Sequence, residues 1–596
     1  MSPIRDVLAI LLTFVLIADF DPASRAFADD EVHPLKLVSE SAAVCLEVPR
    51  FEATWTKFQT SRLFARLKEF PPAERFLGGA GFQKWMMVED HVRRATGKSL
   101  AQHVLGAFSD SLVLAVYLPE GKPPEGVVIA QARDAAALKQ ALQAWDTLEP
   151  QRDSQPKEHR GQAYVRRAKS AKSSEVIYYT TFGRTIALSD QERLIHQVIE
   201  LHASANRQTE PAIADAPRML QNSPLYQANQ ARLPADAAAF LFVNTRMWNK
   251  VVDDATRHSP DAEWIHSVIR NVSALAASLR VDDEFVVDLV VDTNGIPLPD
   301  GWRQFSPGKS ASGDWIQRIP ADAIAAVSSR MEVAPIVQAW LSSTADAKSD
   351  EFARGRNLLK SLLLGRDLFT EILPQVLRDW TIAAVSAERA DSHASPLDVV
   401  GQFALNAGGT PANEQSDVVN SVDNALRFGM TFLGAVLSHQ RGAAVAEPVL
   451  VKTETTPAGT MRSLQGIKTW SPAYVLAQQR LTIATSTRAL LTSQRQQSEP
   501  QPPRKTRLAE FEQRYFRSTT QLAWLDAARL RSVLAHSADW IASQLAPEST
   551  EGRLRVQKHL SKLEEAAKVF DAAFVSARLD EDCLRIVFGA ALDRNE

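Results

Sequence analysis

The chain has 596 residues, a formal net charge of −3, 45% hydrophobic residues and 23% charged residues. These fractions are ordinary for a globular protein and exclude a collagen-like, disordered or polytopic membrane chain. The nearly balanced charge gives no basic surface for nucleic acid, and two cysteines are too few for a disulfide-built scaffold. The length is sufficient for several domains.

Residues 1–28 are predicted to form a secretory signal peptide. The run Val7–Ala18 is almost entirely apolar, and at twelve residues it suits a signal peptide but is too short to span a bilayer. Ala26 and Ala28 form a small-x-small cleavage site, so the mature chain is expected to begin at Asp29. We therefore expect an exported protein, periplasmic or extracellular, with no transmembrane segment in the mature chain. The alternative is an uncleaved anchor or a buried N-terminal helix.

The sequence repeats a pattern at a spacing of about 300 residues. Ser278–Asp292 and Ser576–Ala590 both read as a strand, an acidic turn and a second strand, and Thr185–Ala187 recurs as Thr482–Ala484. A similar correspondence joins Ser41–Val48 to Asp322–Ser329. The pattern predicts two modules, 37–297 and 318–596, joined by a linker, 298–317, that is rich in Pro and Gly. The alternative is a coincidental similarity between two unrelated domains.

Within each module a smaller unit recurs, consisting of a strand, one or two helices and a hairpin. The opening strands are predicted at Ala42–Val48, Ala237–Val243, Ala323–Ser328 and Thr520–Leu525. We expect an α+β fold with two tandem, internally duplicated two-layer modules, mostly antiparallel sheets and helices packed on one face. Ser111–Leu118 is apolar on both faces, which is typical of a central strand.

The two cysteines are predicted not to pair. Cys45 lies in the first strand of one module and Cys583 in the last strand of the other. Each alternates with apolar neighbours, which places it on the more polar side of its strand. A disulfide needs Cα atoms within about 7 Å, which two separate cores would not provide. The alternative is a bridge between strands whose sheets join edge to edge.

Common catalytic and cofactor motifs fail at specific positions. Gly97-Lys98-Ser99 and Gly308-Lys309-Ser310 end like a phosphate-binding loop, but the required upstream glycine is replaced by Val92 and Arg303. The sequence also lacks G-x-S-x-G, H-E-x-x-H and C-x-x-C. No catalytic residue, metal ligand, nucleotide or other cofactor is therefore predicted.

Three segments resemble a known group of sequences. They are Leu233–Trp248 (LPADAAAFLFVNTRMW), Ile319–Trp340 (IPADAIAAVSSRMEVAPIVQAW) and Thr185–Ile199 (TIALSDQERLIHQVI). Together with the signal peptide they resemble a domain-of-unknown-function family of exported bacterial proteins of the planctomycete and cyanobacterial type. The resemblance extends over most of 37–596 and implies no established catalytic residues.

Three classes of function stay open. Duplication without a catalytic motif favours a non-catalytic envelope or periplasmic protein that binds or scaffolds a protein or glycan partner through its sheet faces or a groove between the modules. An exported hydrolase would need a Ser–His–acid site assembled from dispersed residues. A carbohydrate-binding protein would need exposed, coplanar rings among its twelve tryptophans.

Overall fold

A computed structural model describes most of the chain from residue 32 onward, and the chain divides into two compact units, Met1–Ile296 and Pro297–Glu596. No helix within the described residues is long and apolar enough to cross a membrane. The described residues are 32–61, 64–65, 79–148, 152–168, 175–206, 217–249, 253, 270–282, 284–293, 318–330, 350–373, 379–387, 395–405, 412–440, 449–457, 459–466, 471–477, 480–498, 507–516, 519–546, 549–580 and 583–591.

Unit one is built on an antiparallel sheet. Its described strands follow the order β10-β9-β8-β1-β2-β3-β7-β6-β5-β4. The strand bounds are β1 Val44–Pro49, β2 Ser111–Tyr117, β3 Glu125–Gln131, β4 Asp153–His159, β5 Gln162–Ala168, β6 Val176–Phe182, β7 Thr185–Ser189, β8 Ala239–Asn244, β9 Ala274–Val281 and β10 Glu284–Asp292.

Helices of unit one connect and cover these strands. Short helical turns also occur at Pro34–Leu37, Leu220–Asn222 and Thr245–Trp248. The longer helices are α1 Phe51–Thr60, α2 Ala80–Thr96, α3 Leu100–Phe108, α4 Ala135–Leu148, α5 Glu192–Asn206 and α6 Pro224–Ala231.

Unit two has a sheet of the same topology. Its described strands follow the order β20-β19-β18-β11-β12-β13-β17-β16-β15-β14, so each strand of unit one has a counterpart ten strands later. The strand bounds are β11 Ala323–Ser329, β12 Trp380–Ser386, β13 Leu397–Ala404, β14 Leu450–Thr456, β15 Gly459–Gln465, β16 Ala473–Ala477, β17 Arg480–Ala484, β18 Gln521–Asp526, β19 Ala572–Leu579 and β20 Cys583–Ala591.

The helices of unit two occupy equivalent connections. Two π-helical turns lie at Leu368–Ile372 and Glu512–Phe516. The α-helices are α7 Asp350–Leu362, α8 Ala412–Gln440, α9 Thr487–Ser498, α10 Arg507–Phe511, α11 Ala527–Leu545 and α12 Thr550–Ala567.

The structure confirms the α+β class and the antiparallel pairing. The smaller unit is visible in the strand order around the β1–β8 pair. The hairpin β2–β3 continues the sheet from β1, and the hairpin β9–β10 continues it in the opposite direction from β8. β2 is central, as predicted for Ser111–Leu118. The predicted linker, 298–317, and the predicted cleavage site, Ala26, Ala28 and Asp29, lie outside the described residues.

The expectation that helices pack on one face is wrong, because helices lie on both faces of unit one. On one face, Phe51 and Trp55 of α1 pack with Val48 and Leu112. On the other face, Tyr226 of α6 makes edge contacts with Phe240 and Phe242. A sheet covered from both sides has no consistently wet face, so strand alternation alone does not reveal which side is buried.

The structure also corrects which face of β1 and of β20 is buried, because the face that carries the cysteine is the buried one. Cys45 is 1% exposed, whereas its neighbours Val44 and Leu46 are only partly buried. In β20 the same holds: Cys583 is buried, whereas the apolar Phe588 on the alternate side is exposed. Both cysteines are present as buried thiols rather than as a disulfide. The reason is local, since the polar sides of these strands are the sides that lie against covering helices and turns.

Acidic side chains share the buried face of β10. Asp288 and Asp292 are buried, while Phe285 on the alternate side is partly exposed. The Asp292 carboxylate accepts a hydrogen bond from the Asn229 side chain at 2.7 Å and lies 3.2 Å from the Arg232 guanidinium. These partners compensate for the loss of hydration of the carboxylate, because a buried charge is tolerated only when it is paired and hydrogen-bonded.

Candidate functional site

The predicted glycine–lysine loop lies between two helices. Gly97 adopts a left-handed conformation and ends α2. Ser99 then caps α3, with its hydroxyl accepting from the Gln102 amide and the Gln102 side chain accepting from the Ser99 amide. Gly97 and Ser99 therefore serve helix termination and initiation, and Gly308–Ser310 lies outside the described residues.

An exposed apolar row crosses the sheet of unit two. Five residues lie directly opposite one another on neighbouring strands, in the order Phe588, Val575, Ala523, Val327 and Ile382. The exposed fractions are 42% for Phe588, 38% for Val575, 48% for Val327 and 40% for Ile382. With neighbouring strands about 4.8 Å apart, the five positions extend over about 20 Å. We call these five residues the apolar row.

The corresponding positions in unit one are covered. Val48 and Leu112 are paired between β1 and β2 as Val327 and Ile382 are paired between β11 and β12. This correspondence is defined by residue pairing, which leads from Leu112 through β3 to Ile186 and from Ile382 through β13 to Ile483. In unit one, Phe51, Trp55 and Leu105 pack against the Val48–Leu112 pair. The same sheet position is thus packed by helices in unit one, whereas among the described residues of unit two its side chains are partly exposed.

Next to the apolar row, α8 packs on the part of this face that β16 and β17 form. Val418 and Val422 of α8 pack with Tyr474 and Leu481 in one buried cluster. Tyr474 also donates a hydrogen bond to the Asp423 carboxylate at 3.0 Å, and Arg462 donates to the same oxygen at 2.5 Å. Burial and the Asp423 carboxylate raise the pKa of Tyr474. The pairing fixes α8 to the sheet.

Unit one contains a matching arrangement. Arg167 of β5 donates to Asp146 of α4 and lies over the Trp145 ring at 4.6 Å. Trp145 in turn contacts the ring of Tyr179, with 5.7 Å between centroids. Burial and the Asp146 carboxylate raise the pKa of Tyr179. A repeated Arg–Asp–Tyr arrangement thus holds a helix on the sheet in each unit, and Trp145 packs within the arrangement of unit one.

The opposite face of unit one holds a buried acid. Glu47 is 7% exposed, and the Nε2 atom of His33 lies 3.7 Å from its carboxylate. Burial raises the pKa of Glu47, against the opposing effect of the neighbouring Tyr226 hydroxyl. That hydroxyl is itself buried and, within the described part of the chain, makes no hydrogen bond of ordinary geometry.

Histidines cluster at the hairpin β4–β5 of unit one. The rings of His159 and His196 are stacked, with centroids 4.0 Å apart and planes 4° from parallel. His196 is bonded through Nε2 to the Tyr164 hydroxyl at 3.0 Å, and His159 through Nε2 to Glu200 at 3.1 Å. A serine hydrolase needs a histidine that contacts a serine hydroxyl, and these two ring nitrogens are used for other contacts.

Two of the twelve tryptophans have a packing role. Trp55 and Trp524 are buried in aromatic clusters. No group of three or more His, Cys, Asp or Glu side chains in the described ranges has a geometry that could hold a metal ion. Sequence reasoning missed the apolar row, because exposed and buried apolar residues look alike in a strand.

Comparison with known proteins gives little further information. No protein-family model and no curated protein match the chain. Among solved structures, crystal form IV of TP0453 has a TM-score of 0.23 and 11% identity, covering 44% of this chain and 81% of that chain. Crystal form III has a TM-score of 0.23 and 11% identity, covering 46% and 84% respectively. TM-scores this low support no argument about fold or function.

Proposed function

We propose that this chain is an exported, non-catalytic protein of the cell envelope that binds a protein partner through the apolar row of unit two. The single observation that carries the proposal is the exposure of five adjacent apolar side chains on an ordered sheet face. Contiguous exposed apolar surface on a soluble domain is characteristic of interaction sites. Export is inferred from the signal-like segment 1–28 and its cleavage site Ala26-x-Ala28.

The covered counterpart in unit one indicates the chemistry of the partner. There the Val48–Leu112 pair receives aromatic side chains from α1, including Phe51 and Trp55, which are four residues apart. Residues at that spacing lie on one face of a helix. We infer that the partner presents an amphipathic helix with aromatic side chains at helical spacing to Val327 and Ile382.

Tandem duplication provides the origin of this difference. The two units have the same strand order, and the similar segments Leu233–Asp236 and Ile319–Asp322 precede β8 in unit one and β11 in unit two, each of which opens a smaller unit. A duplicated module can keep its fold while one copy exposes a position that the other covers. The inferred duplication and the predicted modules, 37–297 and 318–596, belong to this proposal.

A quantitative capture experiment tests the function. Mature protein is used as bait in envelope extract, and the captured proteins are quantified by mass spectrometry for the wild type and for a Val327→Asp/Ile382→Asp variant. The proposal predicts at least one partner whose capture is reduced by about tenfold or more in the variant, which corresponds to roughly 1.4 kcal/mol of binding free energy. Equal capture of every protein by both baits would contradict it.

A matched control keeps the number of altered apolar groups the same. Leu545 is 69% exposed and Leu554 is 61% exposed, and both lie on helices α11 and α12 of the same unit. A Leu545→Asp/Leu554→Asp variant should retain the partner. Thermal unfolding of all three proteins checks that the substitutions leave the fold intact, as expected for exposed positions.

A further inference from the structure

The stacked histidines lie where the edge hairpin β4–β5 meets α5. His159 ends β4, and His196 lies one turn into α5 from Glu192. Tyr164 of β5 donates a hydrogen bond to Glu192 at 2.6 Å, so its oxygen accepts from the Nε2–H group of His196. Lys157 of β4 contacts Glu192 at 2.6 Å as well. The hairpin is held to the helix largely through this polar cluster.

The proton positions of both rings follow from these contacts. His159 donates its Nε2–H group to the Glu200 carboxylate, and His196 donates to Tyr164. In each ring a further proton can enter only at Nδ1. Burial and the neighbouring His159 ring lower the pKa of His196. Two imidazolium rings stacked face to face at 4.0 Å would repel each other.

The charges around the stack are already balanced when both rings are neutral. Glu192 is paired with Lys157, and Glu200 is paired with Arg160 at 3.1 Å. Against the opposing effect of burial, hydrogen bonds from Lys157 and Tyr164 lower the pKa of Glu192, so this carboxylate stays ionised. The other titratable groups at this site are Tyr178 of β6, which lies under Lys157, and Arg193 of α5, which is paired with Glu125 of β3. Protonation therefore adds uncompensated positive charge.

We propose that the His159–His196 stack is a proton-responsive contact that releases the hairpin β4–β5 from α5 in a mildly acidic medium. A histidine that is harder to protonate in the folded state contributes stability above its ordinary pKa of about 6.5, and this stability is lost as the pH falls. The contact is thus tight at neutral pH. It loosens as protons bind, and the edge strand β4 loses its attachment to the helix.

Unit two provides an internal control for this proposal. Its hairpin β14–β15 occupies the same place in the strand order, and α9 follows β17 as α5 follows β7. None of the segments Leu450–Thr456, Gly459–Gln465 and Thr487–Ser498 contains a histidine. A pH effect confined to unit one would therefore be attributable to the imidazoles and not to general acid destabilisation.

Hydrogen exchange of the full mature chain at pH 7.5 and pH 5.5, corrected for intrinsic exchange rates, tests the proposal. Protection of β4 and β5 is expected to fall relative to that of β14 and β15, because protonation of the stack weakens the contact of the hairpin with α5. His159→Gln should remove this difference, and the exposed control His536→Gln should preserve it. An equal change in both hairpins, or persistence of the difference in His159→Gln, would overturn the proposal.

A second measurement does not depend on the folding of a variant. In the wild-type chain, the imidazole signals of His159 and His196 are followed by NMR as the pH is lowered. The His196 ring should become protonated only below the ordinary imidazole value, because burial and the neighbouring His159 ring lower its pKa. Protonation of His196 at the ordinary value would refute the mechanism.

Discussion

Phe574 lies directly opposite Gly589 in the β19–β20 pair, and its ring occupies the space above the glycine. A Cβ atom added at Gly589 would lie 2.1 Å from the nearest carbon of that ring. The ring also contacts Phe511, Phe516 and Tyr515 in one aromatic cluster. The glycine is therefore required by packing and not by backbone conformation.

Gly589→Ala is expected to destabilise the protein by about 1–3 kcal/mol, because the aromatic cluster cannot move without loss of contacts. Chemical denaturation monitored by tryptophan fluorescence measures this change. Gly429 of α8 is the matched control: nothing lies within 4 Å of an added Cβ atom, so Gly429→Ala should stabilise the helix by roughly 0.5–1 kcal/mol. Equal effects of the two substitutions would contradict the packing argument.

Glu47→Gln is expected to stabilise the protein at neutral pH. The pKa of Glu47 is raised in the folded state, so its protonated form favours folding. This contribution to stability is complete below the ordinary carboxyl pKa and is lost as the pH rises through the folded-state pKa. Removing the buried charge should therefore increase stability by roughly 1–3 kcal/mol at pH 8 and have little effect at pH 4. Thermal melts over this pH range measure the difference.

The exposed carboxylate of Glu551 provides the control for that series, since its side chain is 77% exposed. Glu551→Gln should change the melting temperature little at any pH in the range. A Glu47→Gln variant that is less stable than the wild type at pH 8 would show that the carboxylate is stabilised by its neighbours rather than destabilised by burial.

Asp423→Ala should cost roughly 1–3 kcal/mol, because Arg462 and Tyr474 lose their shared acceptor beneath α8. Arg462→Met should cost a similar amount, and the double variant should cost less than the sum of the two. A double-mutant cycle by urea denaturation measures this coupling, which we expect to be about 1–2 kcal/mol. Strict additivity would mean that the ion pair does not hold α8 on the sheet.

The mature chain is expected to begin at Asp29, after the Ala26-x-Ala28 site. Intact-mass measurement of protein purified from the native envelope determines the N-terminal residue. Retention of Met1 would refute the signal-peptide assignment.

Much of the fold could be predicted from local patterns. The doubly apolar segment Ser111–Leu118 identified the central strand, and the recurring motif Thr185–Ala187 placed β7 and β17 in equivalent positions. Strand β4 was missed, because Asp153–His159 is polar throughout and contains Pro156. Such composition is typical of an edge strand, where charges and proline discourage further pairing.

The apolar row and the burial of Cys45 could not be predicted for a different physical reason. A strand alternates its side chains between two faces, and the sequence does not state which face a helix will cover. Residue-level matching between the units has the same limitation. When paired residues are followed across the strands from Ile186 and Ile483, Val48 of unit one corresponds to Val327 of unit two. When they are followed from Ser278 and Ser576, this correspondence shifts by two residues, which leaves each residue on the same face.

Photo-crosslinking from Ile382 tests the central claim most directly. A benzophenone amino acid is placed at Ile382 in one sample and at the more exposed Leu545 in another, and both are irradiated in the native envelope. The account predicts a discrete adduct from position 382, joined to a partner segment with aromatic residues three or four apart, and no such adduct from position 545. Absence of an adduct at 382, or the same adduct from both positions, would contradict the proposed role of the apolar row.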